Sequence, residues 1–142
     1  MTVLDAYAVL AFFRDEPAAE EVSVLLTSPT VLSAVNAAEV VDQLVRVYGR
    51  VADDVHGDLA VLSHIGMDVA PVSAETGILA GRLRARHYHR ERMAVSLADC
   101  VAAATALSLG RPLATSDPAL AAMIRAEGND VHALPDSRGR PP

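Results

Sequence analysis

The residues of this chain with the most chemistry to offer are acids placed just after apolar runs. Asp5 follows Val3-Leu4, and Asp117 follows Leu113-Ala114-Thr115-Ser116. Asp99 stands three residues after Ser96, and Glu39 lies two turns into a segment opened by Ser33. Each has an ordinary structural reading. Asp5 suits a helix N-cap, and Asp117 before Pro118 is a cap followed by a residue whose missing N–H is not needed there. Ser96 to Asp99 has capping-box spacing, although Glu or Gln is the preferred partner. Glu39, at the margin of an apolar stripe and on the same side as Asn36, reads alone as a solvated side chain. Jointly the four read differently. Carboxylates converging in one cleft repel strongly unless a divalent cation sits among them. Oxygen ligands, with no Cys or His set at zinc spacing, favour Mg²⁺ or Mn²⁺. Such a site supports in-line attack of a metal-activated water on a phosphodiester.

The elements that must position these acids alternate. Short apolar strands are expected at Val3-Leu4, Thr30–Leu32, Asp68–Val72, Pro112–Thr115 and Asp130–Ala133. Helices are expected over Tyr7–Phe13, Ala18–Leu26, a long stretch from Ser33 to Tyr48 ended by Gly49, Ala52–Ile65, Ser73–Arg86, Ser96–Leu109 and Asp117–Glu127. Strands separated by helices require crossover connections. The expected fold is therefore α/β, one domain with a mostly parallel sheet of four or five strands and helices on both faces. In such sheets ligands bind beyond the carboxyl ends of the strands, where Asp5, Ser33 and Thr115-Ser116-Asp117 fall. The domain is expected over residues 1–134, with 135–142 as a disordered tail.

Composition narrows the function. The chain has 142 residues, 51% of them hydrophobic, which suits one domain with a core. All 12 residues of the Lys+Arg total are arginine. The absence of lysine excludes a P-loop lysine, a Schiff-base lysine and the acid-pocket lysine of receiver domains. With a net charge of −6, nucleic acid would not be drawn by the overall field, so a local basic patch or bound cations would be needed. One cysteine, Cys100, no signal peptide and no apolar run long enough for a membrane span point to a cytoplasmic protein with no membrane partner.

Val3-Leu4-Asp5-Ala6, Leu32-Ser33-Ala34-Val35-Asn36-Ala37-Ala38-Glu39, Ser96-Leu97-Ala98-Asp99 and Ala114-Thr115-Ser116-Asp117 together resemble PIN-domain ribonucleases, and among them the small VapC-type toxins of bacterial toxin–antitoxin pairs. The likeness runs in order from Asp5 to about Asp130. It implies a metal-dependent endoribonuclease with Asp5, Glu39, Asp99 and Asp117 as its catalytic acids. Asp5 and Asp99 would hold Mg²⁺ (or Mn²⁺), with Glu39 and Asp117 binding directly or through water. Thr115 and Asn36 would support them. Some relatives carry a further acid after the last Asp; Pro118-Ala119-Leu120-Ala121 has none, so one firmly bound ion is expected and a second is left open. The resemblance also implies an RNA substrate, a cognate antitoxin and a homodimer. The alternative is a PIN-like module that binds RNA or protein without catalysis, against which stands the presence of all four acids.

Arg82, Arg84, Arg86, Arg90 and Arg92 fall with His87 and His89 within eleven residues ahead of Ser96. Arg82, Arg84, Arg86 and Arg90 are candidate RNA-phosphate contacts. The plainer reading is a solvated helix end whose basic residues complement the macrodipole. His87 and His89 are two apart, a poor metal pair on a helix. Cys100 reads as a small core residue. Leu10, Phe12, Phe13, Leu25 and Leu26 are expected in the core, with a dimer or antitoxin surface as the other use for them.

Overall fold

Neighbouring residues of one strand face opposite sides of a sheet, and both sides here are apolar. Val3, Val31 and Leu113 enter one buried cluster, while Leu4, Leu32 and Ala114 enter another on the opposite face. A computed structural model describes all 142 residues and places these on a five-stranded sheet of β1 (Thr2–Leu4), β2 (Thr30–Ser33), β3 (Met67–Ala70), β4 (Leu113–Thr115) and β5 (Val131–Ala133). Every pairing is parallel, in the order β3-β2-β1-β4-β5. The sheet, expected to be mostly parallel with four or five strands, has five, is parallel throughout and is covered on both faces.

The helices are α1 (Ala6–Phe13), α2 (Ala19–Leu25), α3 (Ala34–Asp42), α4 (Ala52–His64), α5 (Ala74–His87), α6 (Leu97–Leu109) and α7 (Pro118–Ala126). Helices α1 to α4 supply one core layer, and α5, α6 and α7 the other. Helix α6 is apolar nearly all round. Its Ala102, Ala103, Ala104 and Ala106 are fully buried, so their small side chains allow close approach to the sheet and to α5. Gly110 ends α6 in the left-handed conformation that an L side chain rarely adopts (φ 59°). No helix is long and apolar enough to cross a membrane.

Two expectations shift. The single helix expected from Ser33 to Tyr48 ends as α3 at Asp42 and continues as a π-helical turn over Gln43–Val47. There the Tyr48 N–H donates five residues back, to the Gln43 carbonyl at 3.1 Å. The third strand pairs at Met67–Ala70 rather than Asp68–Val72, because its register on β2 runs from Thr30 against Met67 to Ser33 against Ala70. Tertiary pairing, not local propensity, sets those ends.

Strand β1 sits between β2 and β4, and the connection leaving β1 runs to β2 while the one leaving β4 runs the other way, to β5. The carboxyl ends of β1 and β4 therefore flank a topological switch point, the position at which open parallel sheets bind ligands. Leu4 is fully buried at that centre. Leu4→Ala should lower unfolding free energy in urea by about 2–5 kcal/mol, whereas Val24→Ala, at an exposed position, should stay within about 0.5 kcal/mol. Equal effects in the two variants would contradict this placement of the core.

Candidate active site

Asp5 leaves β1 and caps α1: its Oδ1 accepts the Ala8 N–H at 2.8 Å. Its own N–H donates to the Ala114 carbonyl at 3.2 Å, fastening it to the end of β4. Asp117 caps α7, its Oδ1 accepting from the N–H groups of Ala119 (2.7 Å) and Leu120 (3.2 Å). Asp99 completes the capping box of α6, accepting the Ser96 N–H at 2.7 Å while the Ser96 hydroxyl accepts the Asp99 N–H at 3.0 Å. The structural readings of these three acids thus hold in full. They do not compete with the chemical one, since all three caps lie where the sheet ends. Asp5, Glu39, Asp99 and Asp117 line a single cavity of about 160 Å³.

Burial and crowding raise the carboxyl pKa values of Asp5, Glu39 and Asp99. Burial pushes the Asp5 carboxyl from 3.8 to about 7, with Asp99 and Asp117 adding like-charge repulsion against the Thr115 hydroxyl and the Ala8 N–H. Glu39 is raised by burial and then by Asp99, with Asn36 opposing. Asp99 is raised by burial and by Asp117, against its bonds to Ser96.

The supporting residues join the segments that carry the acids. Thr115 is fully buried, and its Oγ1 accepts the Asp117 N–H at 3.0 Å. Asn36, also buried, donates through Nδ2 to the Ala98 carbonyl at 3.3 Å, tying α3 to the first turn of α6 beside Asp99. Neither lines the cavity itself. Tyr7, Leu10 and Gln43 do line it, and no role falls to Tyr7 or Gln43 in the sequence. Helical spacing was the available signal: Gln43 lies one turn beyond Glu39, and Tyr7 and Leu10 are three apart on α1.

The arginines divide. None lines the acid cavity. Arg84 donates through Nε to the Val95 carbonyl at 3.2 Å and stacks over Tyr88, its guanidinium carbon 4.3 Å from the ring centre. Arg86 pairs with Glu127 at 2.8 Å, and His87 contacts the same carboxylate oxygen at 2.6 Å. Arg82 is exposed, and Arg90 is highly exposed with only a loose 3.5 Å pair to Glu91. The even assignment of all four to substrate therefore narrows, because Arg84 and Arg86 are held by protein groups. Cys100 is core, as expected, and burial pushes its thiol up to about 11.

The donor set of the cavity is all oxygen, which suits a hard cation such as Mg²⁺ or Mn²⁺. The side chains as they stand form no ready-made group of three or more metal ligands. Capping explains this, since Asp5, Asp99 and Asp117 each turn one oxygen to a backbone N–H. Asp99 and Asp117 each keep a second oxygen for a ligand, while the Asp5 carboxyl is also engaged by the Thr115 hydroxyl.

The profile of the PIN domain family matches residues 2–125. The chain belongs to the PIN domain family. Among solved structures, this PIN domain is similar to a toxin–antitoxin complex from Klebsiella pneumoniae (TM-score 0.67, 16% identity, 86% of this chain and 91% of that one). It is similar to VapBC2 from Rickettsia felis bound to a DNA fragment from their promoter (TM-score 0.67, 15% identity, 92% and 96% covered). It is also similar to VapC20 of Mycobacterium tuberculosis, a sarcin–ricin-loop-cleaving toxin (TM-score 0.71, 17% identity, 86% and 94% covered). At these identities the likeness is one of fold. No curated protein matches the sequence.

The raised acids give the metal-free PIN domain a pH signature. A carboxyl whose folded value exceeds its unfolded one leaves the native state holding more protons. Its stabilising share is complete below about 3.8, is lost as pH rises toward about 7, and stays lost above that. The thermal midpoint in chelator should therefore fall across that window. Asp5→Asn, which keeps a capping side chain, should flatten the fall. A wild-type midpoint that rises through the same window would contradict these environments.

Proposed function

We propose that this PIN domain is a metal-dependent endoribonuclease that hydrolyses RNA phosphodiester bonds, the toxin of a toxin–antitoxin pair in the cytoplasm. The observation that carries the proposal is the convergence of Asp5, Glu39, Asp99 and Asp117, from four separate segments, on one cavity with no basic lining residue. Sheet topology accounts for the meeting of the three caps, but Glu39 caps no helix, and capping does not explain its place among them. Similarity to the Mycobacterium tuberculosis toxin, named for cleaving the sarcin–ricin loop, supports RNA as the substrate.

In this reading residues 1–134 are the nuclease unit. Asp5 and Asp99 would hold one Mg²⁺ (or Mn²⁺), with Glu39 and Asp117 binding directly or through water. The chemistry such an ion would supply is a lowered pKa for an attacking water and charge compensation at the phosphate. The remaining work is done by the chain. Thr115 keeps Asp117 in line with Asp5, and Asn36 fixes the spacing of Glu39 and Asp99 by locking α3 to α6. Arg82 and Arg90 contact substrate phosphates beyond the cavity. The partners are a cognate antitoxin and a second copy of the chain. The antitoxin's seat in this reading is the groove of about 390 Å³ lined by Phe12, Leu26 and Ile65, where Ile65 is 56% exposed.

Purified protein should cleave structured RNA with Mg²⁺ or Mn²⁺ and stop in chelator; intact RNA under both conditions contradicts the proposal. Asp99→Asn and Asp117→Asn should each abolish cleavage without lowering metal-free stability. Asn still caps a helix but is a poor metal ligand, and losing one charge relieves repulsion. Exposed Asp68→Asn should change neither property. Full cleavage by both Asp99→Asn and Asp117→Asn would overturn the mechanism.

Arg82→Ala with Arg90→Ala should weaken RNA binding and reduce its log–log salt slope by up to about one unit for each phosphate no longer neutralised. Arg84→Ala with Arg86→Ala should lower the thermal midpoint and leave that slope in place. The reverse pattern, read by anisotropy titrations at several salt concentrations, would return substrate binding to the second pair.

A further inference from the structure

The acid cavity has a second wall that a metal site does not require. Tyr7 and Leu10 lie on one face of α1, and Gln43 lies one turn after Glu39 at the point where α3 gives way to the π-helical turn. All three line the cavity, and α1 packs against α3. Each helix thus brings one acid (Asp5 at the start of α1, Glu39 on α3) together with uncharged neighbours.

We propose that Tyr7, Leu10 and Gln43 form a nucleobase subsite that receives the base next to the scissile phosphate of an RNA strand. This rests on the nuclease reading above. The chemistry of the wall selects the occupant. A phosphate or sugar–phosphate segment is best met by cationic side chains, and this wall holds none of the chain's arginines. An unstacked base needs an aromatic or apolar face and a group that can both donate and accept at its edge. Tyr7 and Leu10 supply the face, and the Gln43 amide supplies both functions. The Tyr7 ring is anchored as well. Its hydroxyl donates to the Pro135 carbonyl at 3.2 Å, from the segment after β5, where Asp136 closes a turn on Arg140. An aromatic platform fixed at its far end loses little freedom when a base stacks on it. The π-helical turn that begins at Gln43 is a backbone feature that recurs at functional sites.

The test uses the full chain carrying Asp99→Asn, so that RNA is bound without being cut. Its affinity in Mg²⁺ is measured for four fluorescein-labelled hexaribonucleotides, each of a single base. The parent should bind the four unequally. Adding Gln43→Leu should compress that spread, because the amide that reads the base edge is gone. Adding Tyr7→Leu should weaken binding by about tenfold, the scale of a single base stack. Tyr7→Phe keeps the ring but removes the bond to Pro135, and should fall between the parent and Tyr7→Leu. Thermal midpoints identify any variant that has failed to fold, and Gln43→Leu carries the test if Tyr7→Leu does. Unchanged affinity and spread in both Gln43→Leu and Tyr7→Leu overturn the subsite, as does a parent that binds none of the four. Wild-type protein that cleaves RNA while these variants bind like the parent overturns the subsite alone. Base-dependent binding that responds to the variants, in a protein whose wild type cuts no RNA, overturns the nuclease reading and leaves the subsite standing.

Discussion

Four carboxylates share one cavity at the end of the sheet, and no basic side chain lines it with them. That unfavourable gathering is the constraint around which the rest of the molecule is arranged. Left to themselves, buried acids at this spacing would protonate or move apart; the Asp5 carboxyl is pushed up to about 7, first by burial and then by Asp99 and Asp117. What holds them is backbone. The N–H groups at the starts of α1, α6 and α7 bond Asp5, Asp99 and Asp117, and Asn36 locks the helix that carries Glu39 against α6. Helix N-termini carry partial positive charge, so the same hydrogen bonds that fix position also offset some of the repulsion.

The sheet explains why these helix starts meet. With β1 connecting to β2 on one side and β4 connecting to β5 on the other, the carboxyl ends of β1 and β4 open a crevice between them. Asp5 and Asp117 stand on its two sides, joined through Thr115 and the Ala114 carbonyl. Helix α6, made narrow by its alanines, packs close enough for its first turn to bring Asp99 to the same place. Capping and chemistry are therefore two uses of one geometry. A side chain at a helix start is immobilised by one oxygen and can present the other.

Much of this was legible in the sequence because the signals are local. Ser33, Ser73, Ser96 and Asp117 announce helix starts, and short apolar runs between them announce buried strands. The four acids could be picked out because each follows such a signal. What could not be read depends on interactions between distant residues. The sheet order is one case, and the partners of the arginines are another: Glu127, which takes Arg86 and His87, lies about forty residues further on. Tyr7 is fixed by Pro135 from the other end of the chain. The π-helical turn at Gln43 breaks a helix whose apolar periodicity runs on through it, so periodicity alone carried no trace of it.

The central proposal is that these acids are held in place by their caps and share one hard cation. Anomalous diffraction from a crystal of the full chain equilibrated with Mn²⁺ tests it most directly. The account predicts one strong peak inside the cavity, within ligand distance of Asp5 and Asp99, with the three cap bonds intact. A cavity without a peak at saturating Mn²⁺, or a peak reached only by breaking the Asp5, Asp99 and Asp117 caps, would contradict it.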